Sequence, residues 1–134
     1  MGIGVGVSMR KACALGVVAV GVFAGVEIVL AQDAKKAEPK YTMEEIMNKG
    51  HKGKESLLTK VTAGNAAEED RKLLLEYYEA LAMYEPPKGD AKSWKDKTGA
   101  LVKAAKLVVE KPGAVAPLKA AANCKACHTA HRAS

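Results

Sequence analysis

The chain has 134 residues, of which 49% are hydrophobic, 27% charged and only 4% aromatic, and its 21 Lys and Arg outweigh 15 Asp and Glu to give a formal charge of +6. That length builds one small core and not two. No basic cluster is interleaved with aromatic residues, which argues against nucleic-acid binding.

Residues 1–31 read as an export signal. Arg10 and Lys11 supply positive charge, residues 12–30 are almost all apolar, and Val29-Leu30-Ala31 fits a signal-peptidase site, which places cleavage before Gln32. Glu27 interrupts the apolar run, whose length is near the roughly 20 residues of a membrane span, so a retained membrane anchor is the alternative. Cys13, inside this segment, reads as a small apolar residue. Removing residues 1–31 takes away Arg10, Lys11 and Glu27 and leaves a formal charge of +5. Residues 32–40 are polar without an apolar period and read as a flexible lead, so the folded domain is expected over 41–134.

Thr42 and Glu45 form a capping-box pattern, and Met43, Ile46, Met47, Leu57, Leu58 and Val61 recur at helical spacing up to Gly64, which predicts a first helix. Asn65 with Glu68 repeats the start signal, and a stripe of Leu74, Tyr77, Tyr78, Leu81 and Tyr84 predicts a second helix ending at Pro86-Pro87. Asp90 after Gly89 is an N-cap for a third, with Trp94, Leu101, Ala105 and Val108 inward and a stop before Lys111-Pro112-Gly113. A fourth is expected to begin between Ala114 and Pro117 and to run unbroken through Leu118, Ala121, Cys124, Cys127 and His128. No segment alternates with period two for long enough to make a strand, and the connections are short. The expected fold is therefore all-α, an up-and-down antiparallel four-helix bundle.

Residues 124–128 read Cys-Lys-Ala-Cys-His, the C-x-x-C-H pattern that attaches haem covalently. Two thiols add to the two vinyl groups while the adjacent imidazole turns to the iron. On a helix at about 100° per residue, Cys124, Cys127 and His128 share one face. An export signal agrees with this motif, because c-type haem is attached outside the cytoplasm, whereas a cytosolic C-x-x-C points to thiol redox or metal chemistry. Zinc held by Cys124, Cys127, His128 and His131 is the rival reading, but four ligands within two turns of one helix close a tetrahedron poorly. A disulfide or thiol-redox pair lacks a βαβ context and leaves His128 unused. No acid, base or nucleophile constellation stands beside the motif, so the chain reads as a carrier and not an enzyme.

A C-terminal CKACHTAHR on the last helix of an exported, all-helical domain resembles the class II cytochromes c, the family of cytochrome c′ and its low-spin, methionine-ligated relatives. The likeness covers most of residues 41–132 and includes Trp94 near the start of helix three. The resemblance implies one covalent haem c on Cys124 and Cys127, His128 as the proximal iron ligand, and Arg132 beside a propionate or the proximal pocket. It further implies a periplasmic location, redox partner proteins and a homodimer paired through helices one and two. Two haem propionates would lower the mature charge to about +3, a mildly basic balance that suits an acidic partner but reads first as lysines scattered over solvated helix faces. The chain departs from the family in its short link from Glu85 to Asp90 and in having His131, here expected to face solvent, where an aromatic is common.

In that family the distal haem face looks toward the first helix. On a wheel of about 100° per residue, Met43 lies close to the centre of the apolar stripe, Met47 about 40° off it, and His51 about 80° off at its margin. The segment Ile46-Met47-Asn48-Lys49-Gly50 looks like the methionine-ligand segment of the low-spin relatives, which favours Met47 over Met43 as the distal ligand, with His51 the alternative. Met47 as ligand implies a six-coordinate, electron-transferring iron. An empty sixth position implies nitric oxide or carbon monoxide binding instead.

Overall fold

The computed structural model describes residues 37–134. The signal segment 1–31 with Cys13, and the first residues of the polar lead, lie outside the described residues. Among those described there is no strand, and no helix is long and apolar enough to cross a membrane.

The first helical stretch begins as predicted and then departs from expectation. Thr42 caps α1 (Met43–Glu45), its hydroxyl oxygen accepting from the Glu45 N–H at 3.1 Å. The chain then widens into a π-helical turn over Ile46–His51, where the Lys52 N–H reaches back five residues to the Met47 carbonyl at 3.1 Å. It breaks at Gly53 (φ 91°) and restarts at Ser56, whose hydroxyl caps α2 (Leu57–Ala63). The expected single helix is thus three pieces. Gly50 is the reason the π-turn seats closely on its neighbour, because an added Cβ there would stand 3.2 Å from Cδ2 of Tyr77.

α3 (Glu68–Met83) starts at Ala67 and not at Asn65: the Ala67 N–H donates to the Asp70 carboxylate at 3.2 Å, and the Arg71 guanidinium covers the Ala66 carbonyl at 2.8 Å. α4 (Ala91–Glu110) has the predicted bounds, with the Asp90 carboxylate accepting from the Ser93 N–H at 2.6 Å. The final helix is also broken. α5 (Ala116–Ala121) carries Pro117 in its first turn and ends at Ala122. Asn123 then caps a separate α6 (Cys124–His131) by accepting from the Ala126 N–H at 3.0 Å. An asparagine side chain offers the backbone an alternative to helix continuation, and here it is used.

α3 lies along α4. α2 packs on α3 and α5, α4 packs on α5 and α6, and the π-turn touches α2 and α3. The core between them is built from Ile46, Leu74, Tyr78, Leu81, Val108 and Leu118, each at most 2% exposed. Alanines 80, 104 and 105 fill inward positions of α3 and α4 where larger side chains would hold the helices apart.

Candidate functional site

The eight-residue α6 puts Cys124, Cys127 and His128 at positions i, i+3 and i+4, on one face. That face forms one wall of a cleft of about 650 Å³, and α1 and the π-turn form the other with Met43, Met47 and His51. Trp94 and Arg132 also line it. A deeper, apolar recess of about 50 Å³ continues between Leu81, Leu101 and Ala121, still bounded by Met47, His51, Cys124, Cys127 and His128. The cleft is of ligand size, within the roughly 300–1,000 Å³ typical of small-molecule sites. The residues singled out by motif and by periodicity, separated by more than 70 positions, are therefore brought to one place.

Two polar atoms here are unusual, one on a residue of the cleft wall and one on the ring packed against it. His51 rests against Tyr78, ring centroids 5.5 Å apart. Its Nε2 is buried and has no hydrogen-bond partner, and the Tyr78 hydroxyl is in the same condition. Burial, with a smaller contribution from His128, pushes the His51 imidazole down to about 4, so it is neutral at neutral pH with a free lone pair. Burial likewise raises Tyr78, with Cys124 adding to the effect, and so keeps the phenol protonated. Met47 packs against the apolar core without any such deficit, since a thioether is buried at no hydrogen-bonding cost.

The helical wheel placed His51 too far out. The π-turn carries one more residue per hydrogen-bonded ring than an α-turn, and this rotates the last residues of the segment relative to a 100° wheel. His51 is in consequence a cleft residue together with Met47.

His131 is not solvent-facing, as the sequence suggested, but 2% exposed. Its Nδ1 lies 3.0 Å from the Lys88 carbonyl and its Nε2 3.1 Å from the Ser93 hydroxyl. A carbonyl can only accept, so Nδ1 is the donor, and in the neutral ring Nε2 accepts from Ser93. The ring meets Trp94 edge-on at 5.4 Å, and the Trp94 indole N–H donates to the Tyr84 carbonyl at 2.7 Å. The end of α6 is in this way clamped to the link between α3 and α4 and to the start of α4. Sequence reasoning missed this because the partner atoms are a loop carbonyl and a serine 38 positions away. Periodicity carries no signal for such contacts.

These contacts also weigh on the chemistry available. With both nitrogens of His131 engaged elsewhere, the four ligands of the zinc reading do not converge. Cys124 stands at the first residue of α6. Burial pushes the Cys127 thiol up, opposite to what a reactive thiol pair requires. Arg132, exposed at the end of α6, lies at the mouth of the cleft, where its cation is available to an anionic group. No protein-family model, no curated protein and no solved structure matches the chain.

Proposed function

We propose that the chain is a periplasmic c-type cytochrome that carries one covalent haem on α6 and passes single electrons through a six-coordinate, low-spin iron. One observation carries this reading: the CKACH face of α6 is set across a ligand-sized cleft from two side chains able to bind iron, Met47 and His51. The donor set fits haem, because an imidazole nitrogen that is buried, neutral and partnerless on the far wall is the group an iron would satisfy. The bound haem supplies a one-electron iron couple.

The chain's own residues divide the remaining work. Cys124 and Cys127 would hold the haem on α6, their thiols adding to its two vinyl groups. His128, next to Cys127, would supply an imidazole to the iron. Leu81, Leu101 and Ala121 keep the inner edge dry, and a drier, less polar site favours the less charged ferrous state. Arg132, which lines the cleft, would offer its guanidinium to a propionate. The ring of packing contacts, in which α2 meets α3, α3 meets α4, α4 meets α5 and α5 returns to α2, supports a four-helix bundle. In that reading α1 to α2 is a broken first helix and α5 to α6 a broken last one. Export rests on residues 1–31, and the basic balance of the rest suits an acidic redox partner.

The test is the absorption spectrum of the periplasmically matured protein, oxidised and reduced, with and without carbon monoxide, alongside a pyridine haemochrome assay. Covalent haem with a low-spin spectrum indifferent to carbon monoxide is expected. No covalent haem would overturn the reading, and a high-spin spectrum with ready carbon monoxide binding would replace electron transfer by gas binding.

A further inference from the structure

We infer that His51, not Met47, supplies the sixth ligand to the haem iron, so that the iron is held between two imidazoles. The inference rests on the covalent haem proposed above and reverses the order in which the sequence ranks the two candidates.

Both side chains belong to the same π-turn, and both line the cleft with Cys124, Cys127 and His128. What separates them is what each lacks. The Met47 thioether packs on the apolar core and leaves nothing unsatisfied. The His51 Nε2 has almost no contact with solvent and no hydrogen-bond partner, a condition that natural structures rarely tolerate in a buried polar atom. The Tyr78 hydroxyl does not supply one, since it is itself without a partner although the two rings lie 5.5 Å apart. A coordinate bond to iron uses the Nε2 lone pair and removes the deficit. The surroundings hold the ring ready for it: Tyr78, fully buried in the core, supports the imidazole face, and Gly50 lets the π-turn close on Tyr77 so that the next residue reaches inward. Imidazole is moreover a good ligand for iron in both oxidation states.

The test compares the matured wild-type protein with Met47→Leu and His51→Ala, using ferric electron paramagnetic resonance and absorption, with covalent haem counted by pyridine haemochrome and intact mass. The expected wild-type spectrum is low-spin and lacks the weak far-red band of thioether-bound ferric haem. Met47→Leu should remain low-spin. His51→Ala should turn it high-spin and open it to carbon monoxide, and added free imidazole should restore the low-spin form, which separates loss of a ligand from loss of the fold. A thioether band that disappears in Met47→Leu would overturn the inference, as would covalent haem that is already high-spin in the wild type. Absence of covalent haem in the wild type would overturn the functional reading itself, and this inference with it.

Discussion

Gly89→Ala tests whether α6 is held by the His131 clamp. Gly89 has φ 84°, and an added Cβ would lie 2.4 Å from the Ala130 carbonyl oxygen and 3.1 Å from His131 Nδ1. The left-handed backbone alone costs an alanine about 1–2 kcal/mol. The 2.4 Å approach is to backbone, so the link between α3 and α4 and the end of α6 must move apart. That breaks the bond between His131 Nδ1 and the Lys88 carbonyl and leaves a buried nitrogen unpaired, a further roughly 1–3 kcal/mol. The total of about 2–5 kcal/mol corresponds to a fall in Tm of roughly 8–40 °C for a domain of this size. Gly113→Ala is the control, because nothing lies within 4 Å of its added Cβ, and its effect should stay within about 0.5 kcal/mol. The assay is guanidinium and thermal unfolding of the matured protein followed by far-ultraviolet circular dichroism. If the two variants unfold within about 1 kcal/mol of each other, the clamp does not hold α6.

Gly99→Ala, in the middle of α4 with open space around its added Cβ, should stabilise the fold by about 1 kcal/mol in the same unfolding assay. Trp94→Phe keeps an aromatic ring in the core but removes the indole donor to the Tyr84 carbonyl, and should cost about 1 kcal/mol, whereas Trp94→Ala should cost about 3–5 kcal/mol, read from denaturant midpoints. In the haem-free protein His51 titrates near 6.5 when unfolded but near 4 when folded, so the unfolded chain binds the proton more tightly. Stability is then complete above pH 6.5 and falls by up to about 3 kcal/mol as the pH drops from 6.5 through 4, a slope that His51→Gln should remove in a pH series of unfolding midpoints.

Much of the fold was legible in the sequence, and the parts that were not share a cause. The Thr42 and Asp90 caps, the Pro86-Pro87 stop and the full extent of α4 are local signals, and each acts in the structure within three or four residues of where it is written. The inward placement of Leu74, Tyr77, Tyr78 and Leu81 follows from periodicity alone. Beyond the start of α3, the misreadings were the π-turn at 46–51, the break at 52–56, the cap at Asn123 and the burial of His131. In each, a bond to a particular partner overrides the helical rule: Gly50 closing on Tyr77, Ser56 and Asn123 bonding nearby backbone, and His131 reaching a loop carbonyl 43 positions away.

Three of these departures bear on the cleft, the pattern expected where local preference yields to a functional demand. A continuous last helix would align the CKACH segment with the axis of α5. The break at Asn123 gives α6 an axis of its own, and His131 then fixes its rotation against the start of α4. A regular first helix would leave His51 at the edge of its apolar stripe, whereas the π-turn carries it to the wall opposite Cys124 and His128. Restoring regularity therefore makes a sharper probe than deleting a side chain. Deleting Gly50 by in-frame removal should convert the π-turn to an α-turn and turn His51 away from the cleft while keeping every candidate ligand in the chain. If the chain carries haem as proposed, its low-spin signature should then be lost with Met47, His51 and His128 all still present. If that signature persisted, the wide turn would not be what brings the sixth ligand to the iron.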